Sequence, residues 1–351
     1  MDSTREKICL ASDNFTEAHP LVVQAVVEAN KGYASPYGAD LWTEEAQKRI
    51  QEVFGRKCKV FFVPTGTGAN IFALKLCCDS HESIICTDTA HIHTLECGAP
   101  ESIVGSKLLI VPHQDGKLTP EAVSRELQRE RAFGKLSTSP RVLSVTQPTE
   151  VGTLYSLDEL KSLSKLCTEE DLLLHMDGSR LYNALVSLKI SFSEFVTAIC
   201  PDTLSLGGTK NGLMGAESLL IFNPDLYEGS DHLQKQTLQL LSKMRFLSAQ
   251  YIPLFEKNLW HHLASHANQK AQEIASIVKE TPHLSLDYPV ETNQIFFTAP
   301  VFWIPLIQER IICYPWNLEK NEVRFITSWN TSEQDVKDVK AVLTEISRNP
   351  I

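Results

Sequence analysis

Between residues 58 and 223, short apolar runs alternate with amphipathic stretches, and this alternation leaves few architectures open to the chain. The runs at 59–63, 83–86, 108–111, 142–146, 172–176 and 203–206 are bounded by Gly, Pro, Asp or Asn. Continuous apolar runs, unlike alternating ones, predict strands buried on both faces, and hence a wound, mostly parallel sheet covered by helices. Ligands of such sheets collect outside the carboxyl ends of the strands. Two of these ends carry chemistry. LLLHMDGSR delivers Asp177 and Arg180, and TLSLGGTKNG delivers Lys210.

Taken alone, an Asp at a strand end more often serves as a turn or cap residue, and a Lys in a Gly-rich turn is more often solvated. Together in one crevice they have the wiring of a pyridoxal phosphate site. Such a site needs a lysine to hold the aldehyde and a carboxylate to keep the pyridine nitrogen protonated. Upstream, strand 59–63 runs into PTGTGAN and the apolar helix IFALKLCC, which brings backbone N–H groups and a helix N-terminus to one point suited to a phosphate. It is not a Walker loop, since no GK[ST] closes it, and Ile71 stands where a Rossmann motif has its third Gly. His91, His93 and Glu96 suggest a metal, but histidines two apart on a helix point to different faces and no zinc-spaced partner follows, so no metal is expected. A histidine ring stacked on a flat cofactor is the better use of one of them.

The 351 residues suffice for about two domains. A formal net charge of −10 and a pI near 5.6 argue against nucleic acid or an anionic membrane as partner. MDSTREKICL lacks the apolar stretch of a signal peptide, and no apolar run approaches the roughly 20 residues of a membrane span. Nine scattered cysteines without a C-x-x-C pair fit a reduced, cytoplasmic setting, in which the sequons at Asn14 and Asn330 are chance matches.

Helices are expected from Pro20 to about Asn30, after a Thr43 cap with Gly55 as its stop, after Thr119–Pro120, after the SLDE capping box at 156–159, and after Ser193. Residues 131–140 read as a surface loop, and 231–279 as helical with a break at Pro253. Strands at 294–298 and 323–328 and a Thr331-capped final helix, with Val336, Val339, Leu343 and Ile346 inward, complete a smaller α+β unit. The expected division is a large cofactor-binding α/β domain at 1–240 and a small C-terminal domain at 241–351.

SDN near the start, YGAD at 37–40, TGTGAN at 65–70, HIHTLE at 91–96, HMDGSR at 175–180, GGTKNG, KMRFLSAQ at 243–250 and VRFITSW at 323–329 together resemble the threonine aldolases. These are pyridoxal phosphate enzymes of the aspartate-aminotransferase-like fold type I, and the resemblance is nearest to bacterial low-specificity L-threonine aldolases. It covers nearly the whole chain and implies cleavage of L-threonine or L-allo-threonine to glycine and acetaldehyde. It also implies that Lys210 is the Schiff-base lysine and Asp177 the partner of the pyridine nitrogen, that Gly66 and Thr67 hold the phosphate, and that His91 stacks on the ring. Ser12, Arg180 and Arg324 would bind the substrate carboxylate. Arg245 and Tyr37 would come from a neighbouring subunit of a homodimer or homotetramer. Many relatives carry Asn-Thr-His after the strand ending at Thr146; this chain has Gln147-Pro148-Thr149-Glu150. The base for the β-hydroxyl proton is therefore Glu150, His91 through water, or water alone. Alternatives on the same cofactor are β-elimination, cleavage of aryl β-hydroxy amino acids, or binding without turnover.

Overall fold

The computed structural model describes residues 7–348. The first six residues of the N-terminal stretch read above lie outside the described residues. A short strand, β1 (Ile8–Cys9), precedes the large sheet formed by β2 (Lys59–Val63), β3 (Glu82–Thr87), β4 (Lys107–Val111), β5 (Ser139–Thr146), β6 (Leu173–Gly178), β7 (Thr203–Leu206) and β8 (Glu217–Ile221). Their order is β2-β8-β7-β6-β5-β3-β4, parallel throughout except that β8 runs antiparallel to both β2 and β7. The sheet is thus mostly parallel, as the alternation of short apolar runs and helices predicts. Thr146 lies opposite Asp177, and Asp177 opposite Ser205. This register brings the loops after β5, β6 and β7 to one edge.

The second unit is built on β9 (Ser285–Leu286), β10 (Gln294–Thr298), β12 (Tyr314–Asn317) and β13 (Glu322–Ile326), an antiparallel sheet; β11 (Ile311–Ile312) pairs in parallel with β1. The N-terminal segment therefore belongs structurally with the far end of the chain. Helix Leu259–Glu280 is shared, with Trp260 and Leu263 in the core of the large layer and Ala271, Ile274 and Val278 in that of the small sheet. The division into 1–240 and 241–351 remains a proposal: Leu10 packs in the core of the small sheet, and Trp260 and Leu263 pack in that of the large one. Among the described residues no helix is long and apolar enough to cross a membrane.

Local signals held where side chain and backbone satisfy each other nearby. Helix Leu157–Glu170 opens on the expected capping box, Ser156 with Glu159. Several expectations need correction. The cap of helix Leu41–Phe54 is Asp40, whose carboxylate accepts the Thr43 N–H, because the helix starts two residues before Thr43. Residues 131–140 are no plain loop: they contain the end of helix Pro120–Ala132, a single tight turn, and the start of β5. Two helices, Leu181–Leu188 and Phe192–Ile199, lie between β6 and β7, and Ser191 caps the second in place of Ser193. Pro253 sits inside the short helix Tyr251–Phe255, where a missing first-turn N–H costs nothing; the chain breaks instead at Lys257 and Asn258, both with positive φ. The last helix, Glu333–Arg348, is capped by Ser332, which accepts the Asp335 N–H, and Thr331 accepts from Ser328.

Candidate active site

Asp177 is the penultimate residue of β6 and is only 3 % exposed. Its Oδ1 accepts the Ser179 N–H at 2.9 Å and the Ser179 hydroxyl at 2.5 Å, and its Oδ2 accepts from the Asn70 amide at 2.9 Å. Burial by itself pushes a carboxyl up. Here His91, the Ser179 hydroxyl, Lys210 and Asn70 outweigh that, and Asp177 lies below its usual range as a fixed anion. Asn70 comes from helix Gly66–Cys77, whose start Thr65 caps by accepting the Gly68 N–H at 3.0 Å. In a helix the first N–H groups have no partner within the helix, so Gly66 and Thr67 present donors outward. A Cβ built on Gly66 meets nothing within 4 Å, which leaves a cradle open at this terminus. Gly66, Asp177, Ser179, Ser205, Gly207 and Glu217 line one cleft.

Lys210 stands in the single turn Thr209–Asn211 that follows β7. Gly207 is obligatory before it, since a Cβ there would fall 2.3 Å from the Ser179 carbonyl oxygen. The buried Glu217 of β8 fixes the turn by accepting the Gly208 N–H at 2.7 Å. Burial and Arg180 lower the Lys210 pKa, partly offset by Asp13, Asp177 and Glu217. A lysine so placed is more readily neutral and nucleophilic than a solvated one.

His91 begins the short helix His91–Thr94 and is partly exposed, with Nδ1 at 2.8 Å from Glu96 Oε1. Burial would lower the imidazole, but Glu96 and Asp177 prevail and hold it above its ordinary value. Glu150 lies directly behind: its Oε1 accepts the His91 N–H at 2.9 Å and the Thr146 hydroxyl at 2.7 Å, and its Oε2 is buried without a partner. Burial pushes Glu150 up to about 7 despite these two donors.

The two arginines differ in kind. Arg180 is held by Asp13 through two parallel bonds, Nε and Nη2 each at 2.7 Å, and Asn293 supports the same carboxylate at 3.1 Å. Arg324, on β13, lies over the Trp316 ring at 4.1 Å and the Tyr314 ring at 5.6 Å, with Nη2 donating to the Ala11 carbonyl at 3.2 Å. Its Nε is buried and unpartnered, and burial with repulsion from Arg180 lowers its pKa to about 10. A buried cation with an unmet donor, next to a second cation, favours an incoming carboxylate. Ser12 caps the turn Asp13–Phe15 by accepting the Asn14 N–H at 3.2 Å.

Tyr37 and Arg245 stand apart. Tyr37 is 53 % exposed with its ring 5.4 Å from Lys235 Nζ, and Arg245 donates to the Gly32 carbonyl at 3.3 Å. Asp13, Asn70 and Glu217 are not among the residues expected from the sequence, where Glu96 enters only as part of a possible metal cluster. Asp13 and Asn70 lie inside the motifs SDN and TGTGAN, so those stretches are flagged although the side chains are not.

A family profile described as beta-eliminating lyase matches residues 10–300. The chain is 41 % identical over 330 residues to a low specificity L-threonine aldolase of Pseudomonas aeruginosa, covering 94 % of this chain and 95 % of that protein. It is 26 % identical over 292 residues to the Saccharomyces cerevisiae protein of the same name, covering 82 % and 73 %. The solved threonine aldolase of Leishmania major superposes with a TM-score of 0.92 at 29 % identity, covering 97 % of this chain and 99 % of that one. Aspartate aminotransferase from Thermus thermophilus, at 13 % identity and TM-score 0.72 over 97 % of this chain and 92 % of that one, shares the fold alone.

Proposed function

The chain belongs to the beta-eliminating lyase family, and within it to the low-specificity L-threonine aldolases; from that premise we propose that it cleaves L-threonine and L-allo-threonine between Cα and Cβ, yielding glycine and acetaldehyde, with pyridoxal phosphate as cofactor. The observation that carries this reading is the buried anion Asp177 close enough to the buried Lys210 for each to shift the other's charge, while Arg324 keeps an unpartnered donor and faces the same Asp13 and Arg180.

The residues fit pyridoxal phosphate: an open cradle at Gly66 and Thr67 suits the phosphate, Asp177 suits the ring nitrogen, and Lys210 suits the aldehyde. When bound, the cofactor supplies a protonated aromatic ring that accepts the electron pair left on Cα. Asp177, fixed by Ser179 and Asn70, keeps the proton on the ring nitrogen. Arg324 grips the substrate carboxylate and so sets which bond at Cα stands across the ring, with Ser12 at the same end. Arg180, already paired with Asp13, adds positive charge more than hydrogen bonds.

His91 accepts the β-hydroxyl proton, because its ring is partly exposed beside Asp177, whereas the one unpartnered oxygen of Glu150 is buried. Glu150 anchors the His91 backbone and stands where the family resemblance places a histidine in many members. Tyr37 and Arg245 reach the site of a second copy in a homodimer or homotetramer, a reading supported by their surface placement away from the residues of their own site. A cytoplasmic location is part of the same proposal.

The clamp has its own test. Arg324→Ala should raise KM for L-threonine by about ten- to hundredfold, the loss of charge-assisted hydrogen bonds, with the visible cofactor band retained. Loss of the cofactor in that variant would assign Arg324 to the wrong ligand. For the whole reading, glycine in D2O should exchange an α-hydrogen for deuterium, followed by NMR, only when Lys210 and cofactor are both present. Absence of exchange in the loaded wild type would contradict the proposed site.

A further inference from the structure

His91 is tied to Asp177 by two buried side chains. Glu96, only 3 % exposed, uses one oxygen, Oε1, to accept from both His91 Nδ1 at 2.8 Å and the Asn70 amide at 2.9 Å. The same Asn70 nitrogen donates to Asp177 Oδ2 at 2.9 Å. An amide nitrogen carries two hydrogens, so each carboxylate receives one, and the reverse orientation would set the amide oxygen against two anions. Glu96 Oε2 and Asn70 Oδ1 are buried without partners.

We propose that Glu96 and Asn70 are positioning residues for the aldol cleavage: Glu96 fixes the proton on His91 Nδ1, which leaves Nε2 free to take the β-hydroxyl proton, and Asn70 holds Glu96 and Asp177 in one unit. This deepens the proposed function and rests on it. The physical argument concerns charge. A carboxylate with no exposed side-chain surface favours positive charge on the group bonded to it, so Glu96 stabilises the imidazolium that forms once His91 Nε2 has taken the proton. An imidazole held at one nitrogen by a carboxylate has its tautomer and ring plane set and becomes more basic at the other. The charged and titratable groups facing His91 are Glu96 from its own segment, Asp177 from β6, Lys210 from the turn after β7, and Glu150 at its backbone N–H. Of these, Glu96 alone bonds the ring. Asn70 keeps two carboxylates together that would otherwise repel each other.

The test uses the cofactor-loaded, full-length chain with isotope-labelled histidine, and reads both the His91 imidazole titration by NMR and the pH profile of kcat/KM. In the wild type, activity falls as pH drops through the raised His91 pKa, because protonated Nε2 accepts nothing. Glu96→Gln should move the titration and the acidic limb of the profile together to lower pH, by about one to three units, and reduce kcat at least about tenfold. Glu96→Asp keeps the charge and should restore most of the shift, and it serves as the probe if Glu96→Gln does not fold. Asn70→Ala should lower kcat while KM stays within about threefold and His91 still titrates high. An unmoved titration and limb in Glu96→Gln, or an unchanged kcat in Asn70→Ala, overturns the proposal. The NMR arm is independent of turnover. A wild type that releases no acetaldehyde therefore defeats the aldolase reading and not the tether.

Discussion

Replacing Lys210 by alanine is expected to abolish aldol cleavage, with a fall in kcat of about ten-thousandfold or more, and to remove the visible band of the loaded protein. The size follows from the position of this lysine. It is a buried amine that interacts with both Asp177 and Glu217, on a turn that Gly207 and Glu217 hold against β6 and β8. Its environment lowers its pKa through burial and the neighbouring Arg180, so a solvated lysine elsewhere cannot replace it by charge alone. Borohydride reduction of the loaded wild type followed by peptide mapping should put the cofactor on the peptide that contains Lys210. A persistent, reducible band in Lys210→Ala would place the attachment on another lysine.

The second large effect is expected from Asp177→Asn. The amide is nearly isosteric and can keep its contact with the Ser179 N–H, so the fold should survive. The negative charge that keeps the pyridine nitrogen protonated is lost. A fall in kcat of about a thousandfold is expected, near the upper range for removal of one preorganised electrostatic partner, with a smaller change in KM. The variant should also set an amide against the Asn70 amide, where two donors face each other in place of donor and carboxylate. Steady-state kinetics with added pyridoxal phosphate separates the two consequences, because excess cofactor restores weak binding but not a lost charge. Wild-type kcat in the saturated variant would mean that Asp177 does not face the ring nitrogen.

Much of this arrangement was legible in the chain because it is written in local terms. Short, largely apolar runs mark buried strands, so the ends at Asp177 and before Lys210 are located from the sequence, and the edge strand Lys59–Val63, antiparallel to its neighbour, is read with its observed limits. The capping box at Ser156 needs only residues within one turn. The pairings that complete the site are of another kind. Arg180 meets Asp13 across 167 positions and Asn70 meets Asp177 across 107, and nothing in residue spacing sets such contacts. The sheet order brings them together. The roles of the two arginines illustrate the consequence: both read alike as carboxylate binders, yet one arrives with its own internal carboxylate and the other with a buried donor unmet. Thr43 and Asp40 can each cap a helix by type, and in the fold Asp40 does so by accepting the Thr43 N–H while Thr43 itself is buried in the first turn.

The most direct measurement supplies the loaded protein with L-threonine and, separately, L-allo-threonine, and quantifies glycine, acetaldehyde, ammonia and 2-oxo acid in the same samples. The account predicts glycine and acetaldehyde in equal amounts, without ammonia, from both isomers. Ammonia with 2-oxobutanoate in place of acetaldehyde would assign the site to β-elimination and contradict aldol cleavage.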